Sequence, residues 1–125
     1  MKENLLVDLS RQFAIDIVNL CREIRANYDE KILTNQLLRS GTSIGANLHE
    51  GNYASSRLDF INKFQIALKE CYETEYWLKI LVETKYLRLD KYNKYNKLNG
   101  DCSKLRKLLF ASIVTAQKND GADNN

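Results

Sequence analysis

No proline occurs in the 125 residues, and apolar side chains recur at steps of three and four through most of them. Without proline, nothing removes a backbone donor or clashes with the preceding turn, so helices can run long. The period selects helix over strand, because such steps keep residues on one side of a 3.6-residue turn. From Leu5 to about Asn27 the apolar positions are Leu6, Leu9, Phe13, Ile17, Leu20 and Ile24. A second run, from about Glu30 to Glu50, places Leu33, Leu37, Gly41, Ile44 and Leu48 on one face. Asn27, Tyr28 and Asp29 read as the turn between them, with Asp29 as N-cap. Gly51 reads as a stop in the left-handed conformation that glycine adopts without strain.

The stretch "SSRLD" opens a third helix, with Ser56 as cap and Asp59 answering three residues later, as in a capping box. Its core side, to about Lys85, is Phe60, Phe64, Ala67, Cys71, Leu78 and Val82. Asp90 is expected to cap a last helix carrying Tyr95, Leu98, Cys102, Leu105, Leu109, Ile113 and Ala116, with Gly100 on its solvent side. Four amphipathic helices joined by short turns predict an all-α fold, an up-and-down antiparallel four-helix bundle. The bundle domain is expected over residues 1–118, and 119–125, "NDGADNN", as a disordered C-terminal tail.

Cys21, Cys71 and Cys102 form no CxxC and all fall on apolar stripes, which suits reduced core thiols in a cytoplasmic protein. Asp8 interrupts the N-terminus before a signal-peptide apolar run could form, and no segment has the length of a membrane span. Charge is uneven. Residues 1–84 carry 10 Lys/Arg against 12 Asp/Glu, whereas 85–118 carry 9 against 2. That surplus predicts either an anionic partner or a merely solvated basic face.

The second helix is unusual in "RSGTSIGANLHEG", which has three glycines and few large side chains. At about 100° per residue, Gln36, Arg39, Ser43, Asn47 and Glu50 line a flank away from the core stripe, with Ala46 among them. A solvated face favours long Lys and Glu, so short polar groups suggest close packing in which these side chains satisfy one another. A poor surface helix is the plainer alternative. In the third helix Glu75 lies within the core stripe and needs a cationic partner, for which Arg39 is the candidate. Ile66, Tyr76, Trp77 and Ile80 form a second apolar patch away from that stripe, which predicts a subunit interface and an oligomer.

"QLLRSGTSIGANLHEG" followed by "SSRLDFINKFQIALKECYETEYWLKIL" resembles the bacterial four-helix bundle family of 23S ribosomal RNA intervening-sequence proteins. The matching positions are Gln36, Arg39, Ser43, Ile44, Asn47, Leu48, Glu50 and Gly51, then Phe60, Phe64, Ala67, Glu73 and Glu75. The resemblance implies an all-α bundle assembling as a ring, expected as a homopentamer, with no established activity. Related barrel-shaped proteins are accessory factors of diversity-generating retroelements that bind nucleic acid and a reverse transcriptase, so the resemblance implies, by analogy, one or the other as partner.

Catalysis has little to build on. His49 is the sole histidine, the residue three before it is Ala46, and no nucleophile accompanies Glu50, Glu70, Glu73 or Glu75. No cofactor, metal, membrane or small-molecule substrate is expected. Nucleic acid fits better. "LRLDKYNKYNKLNGDCSKLRK" interleaves Lys91, Lys94, Lys97, Lys104 and Lys107 with Tyr92, which points outward, and Tyr95, which points coreward. Lysines neutralise phosphates and an outward tyrosine stacks on an unpaired base. The competing expectation is a structural or adaptor ring whose partner is another protein.

Overall fold

Each of the four periodic runs folds as one unbroken α-helix. In the computed structural model, which describes residues 2–88 and 94–123, these are α1 (Lys2–Tyr28), α2 (Ile32–Asn52), α3 (Arg57–Glu83) and α4 (Lys94–Asp123). α1 packs on α2, α2 on α3, α3 on α4, and α4 closes on α1. Every pair runs antiparallel. The start of α1 meets the end of α2 where Ser10 lies against Gly45, and Arg25 near the end of α1 reaches Thr34 near the start of α2. Glu50–Lys63 and Arg39–Glu70 mark the same sense for α2 and α3. Lys94–Glu23 and Lys97–Asp16 mark it for α4 and α1.

The core is the predicted one, extended. Leu6, Phe13, Ile17, Leu20 and Ile24 are buried with Leu37, Ile44, Leu48, Phe64, Ala67, Leu78, Leu98, Leu105, Leu109 and Ile113. Phe60 and Val82, expected coreward, are half-buried, and Ile61 and Leu81 beside them complete the face. All three cysteines are buried and free. Burial pushes the Cys21 thiol up to about 11. Cys102 Sγ lies 3.3 Å from the carbonyl oxygen of Cys71, which ties the middles of α3 and α4 together. Two buried hydroxyls were not anticipated: Thr74 Oγ1 lies 3.0 Å from Ser40 Oγ across the α2/α3 seam. Each also sits near a carbonyl of its own helix, so neither is stranded.

Three helix boundaries differ from expectation. Asp29 does not cap α2; it takes φ 53°, a left-handed conformation that reverses the chain after α1. The longer Glu30 reaches the free N–H groups instead, accepting from Leu33 at 2.9 Å and Thr34 at 3.0 Å. Gly51 is no left-handed stop, since it lies inside α2 without positive φ. Its role is clearance, because a Cβ there would come 2.7 Å from the Phe64 ring. α4 continues to Asp123, past residue 118, because no proline or buried kink intervenes. Ser56 does cap α3, accepting from the Asp59 N–H at 3.1 Å. The expected Asp90 cap lies outside the described residues.

Candidate functional site

The exposed flank of α2 and the outer edge of α3 form one face of the bundle. The antiparallel register brings Arg39 beside Glu70 and Glu73, which α3 presents one helical turn apart. Arg39 lies 3.3 Å from Glu70 and also holds Glu73, which accepts from the Trp77 indole N–H at 3.4 Å as well. The hydrogen bond from Arg39 holds the Glu73 carboxyl below the usual carboxylate range, whereas burial pushes that of Glu70 up. Toward the far end of α2, Glu50 pairs with Lys63 at 3.0 Å. Arg39 is therefore not the partner of Glu75. Glu75 lies on the opposite flank of α3, half-buried, and Arg106 of α4 donates to it at 3.0 Å.

Of the polar flank of α2, Arg39 and Glu50 reach outward to α3. Asn47 donates to the carbonyl oxygen of Ser43 at 2.9 Å, and Gln36 is exposed. Among the described residues no hydrogen bond joins two of the five side chains. Beside them lies the predicted apolar patch, differently graded. Ile66 is 41% exposed and Tyr76 57%, Ile80 is half-buried, and Trp77 packs its body against the core. Trp77 is thus a flank of the core with an accessible edge, not a free indole.

The basic stretch divides. Lys94 pairs with Glu23 at 2.6 Å, and Lys97 with Asp101 at 2.9 Å and Asp16 at 3.3 Å, so both act as ties across the α1/α4 seam. Lys104 and Lys107 are exposed and have no such tie among the described residues. Tyr95 is half-buried against the core, as expected. Lys91 and Tyr92 lie outside the described residues. What the sequence missed is Arg106: it pairs with Glu75 and sits 5.1 Å from the centroid of Tyr72. Its spacing of four from Cys102, on the edge of the core stripe, was the available signal.

His49 is exposed against Tyr53 at the end of α2. Among the described residues no three His, Cys, Asp or Glu side chains converge to hold a metal ion. No helix there is long and apolar enough to cross a membrane.

Among curated proteins none matches the chain. A crystal structure of a protein of unknown function from the S23 ribosomal protein family of Bacteroides thetaiotaomicron VPI-5482 is similar, with 47% identity and a TM-score of 0.85. The likeness covers 90% of this chain and 98% of that one. Residues 2–111 match the family described as 23S rRNA-intervening sequence protein. A match over that length, with the Arg39-to-Gly51 motif set on the α2/α3 face, places this chain in the 23S rRNA-intervening sequence protein family.

Proposed function

We propose that the protein is a non-enzymatic subunit of a homo-oligomeric ring, pentameric as the family resemblance implies, that binds RNA or DNA through the basic side of α4. The observation that carries the nucleic-acid half is the charge left over after internal pairing. Residues 85–118 hold 9 basic against 2 acidic side chains, and Lys104 and Lys107 remain unpaired among the described residues. A ring repeats this surplus in each subunit, so a modest patch becomes an extended field. Support for assembly comes from the α2/α3 face, where Ile66, Ile80 and the edge of Trp77 are left partly exposed.

Two measurements test this. Light scattering should give a particle near five chain masses, and Ile66→Lys should dissociate it while leaving helix content intact. A wild-type monomer at micromolar concentration ends the ring. In RNA and DNA titrations, Lys104→Gln with Lys107→Gln should weaken binding and lower the log–log salt slope by about 0.7 per lost single-strand phosphate contact. Lys94→Gln and Lys97→Gln should matter less, since both lysines are already paired. Wild-type protein that binds neither nucleic acid at low salt transfers the reading to a protein partner.

A further inference from the structure

Two aromatic rings, Tyr72 and Phe110, flank the outer α3/α4 seam, and a third, Tyr76, stands beside them on the outward face of α3. Tyr72 is 55% exposed and Phe110 60%, and Tyr76 lies one turn from Tyr72. Single exposed apolar residues are ordinary on any surface. These three differ in arrangement. Tyr72 and Tyr76 share a flank of α3 at a spacing of four, and Tyr72 faces Arg106 of α4. Phe110 follows Arg106 by four residues, one turn further along α4. The rings thus form a row with a rise of about 5.4 Å per helical turn.

The row is held rather than loose. Arg106 donates to Glu75 at 3.0 Å and to Ser103 at 3.2 Å, which fixes its guanidinium beside Tyr72. The Tyr76 ring packs edge-on to Trp77 at 5.1 Å. Each ring also has a lysine three residues away on its own helix: Lys69 with Tyr72, Lys79 with Tyr76, and Lys107 with Phe110. All three lysines are exposed and make no ion pair among the described residues. Glu75 is occupied by Arg106, and the next acid along α3 is Glu83, a turn beyond Lys79.

We propose that Tyr72, Tyr76 and Phe110, with Lys69, Lys79 and Lys107, form a stacking surface for the bases of single-stranded RNA or DNA. The inference rests on the nucleic-acid reading above and narrows it to unpaired strands. Bases offer a π-face to a ring only when they are out of the duplex, and the neighbouring lysines suit the phosphates between them. Duplex offers those lysines phosphates but leaves the rings in water.

The test is fluorescence anisotropy of labelled oligo(U) and of a hairpin duplex at low salt, with light scattering on every variant. Wild type should prefer oligo(U). Tyr72→Ala and Phe110→Ala should each weaken that binding by about 5-fold or more, the effect of losing one base stack, and leave duplex binding and particle size unchanged. Phe110→Trp should restore it. Equal affinity for strand and duplex, or alanine variants that bind oligo(U) like wild type, would overturn the stacking surface while leaving charge-driven binding in place. Alanine variants that change particle size would overturn it too, by assigning the rings to subunit contact. Wild type that binds neither probe would overturn both readings.

Discussion

Arg39 and Arg106 each hold a glutamate of α3, but in different surroundings. Arg39 has a 48% exposed side chain, and exposed pairs contribute about 0–1 kcal/mol. Arg39→Ala is therefore expected to cost about 1 kcal/mol or less in urea unfolding, not the several that a buried pair would imply. Arg106→Ala strands a half-buried Glu75 and should cost more, about 1–3 kcal/mol. The two carboxylates beside Arg39 should respond to pH with opposite sign. Glu73 is depressed in the folded state, so its contribution is present above the ordinary carboxyl value and lost as pH falls through the folded one. Glu70 is raised, so the folded protein keeps that proton longer and loses stability as pH rises through the folded value. Relative to wild type, Glu73→Gln should become less stable from about pH 3 to about pH 7, and Glu70→Gln more stable. Denaturation midpoints at the two pH values check both signs. The exchange of partners shows where residue-level reading fails. Glu73 and Glu75 are two residues apart, hence about 200° apart around the helix, and only the interhelical register decides which neighbour each meets.

The helices carry their own register marks in the glycines. A Cβ at position 41 would fall 2.9 Å from Ile17 Cγ2, and one at 51 would fall 2.7 Å from the Phe64 ring; both neighbours are buried. Gly41→Ala and Gly51→Ala should each destabilise by about 1–3 kcal/mol, the scale of overpacking. Position 100 has nothing within 4 Å, so Gly100→Ala should stabilise by about 0.4–1 kcal/mol. Thermal melts followed by circular dichroism would separate the three. Helix existence and core faces were legible because period and burial report the same property. Gly41 on the core stripe was legible for that reason, and Thr74 could have been, since it lies three after Cys71 and four before Leu78. Helix ends were less legible. Asp29 and Glu30 are both acceptable caps by type, and which one reaches the open N–H groups depends on the backbone reversal at Asp29.

At the scale of the molecule, each helix rests on its sequence neighbours, and only the α4-to-α1 closure is distant in the chain. Such topology favours rapid folding, and a chain without proline has no slow peptide isomerisation to wait for. Refolding from urea should lack any phase of tens of seconds at low protein concentration; a phase that accelerates with concentration reports assembly. For a ring, the melting temperature should also rise with protein concentration, and a constant value would mark a monomer. The candidate faces were half-legible at this scale, because sequence shows surplus charge but not which lysines meet acids. Asp101, four residues after Lys97, was a visible partner, but Asp16 was not until α1 came alongside. The three enclosed thiols supply a different kind of instrument. Cys21 sits in α1, Cys71 in α3 and Cys102 in α4, all without solvent contact, so an aqueous thiol reagent must wait for the protein to breathe. Equal labelling times at the three would mean that the bundle opens as one body. Earlier labelling at Cys21 would mean that α1, tied to α4 by the surface lysines 94 and 97, lifts away first.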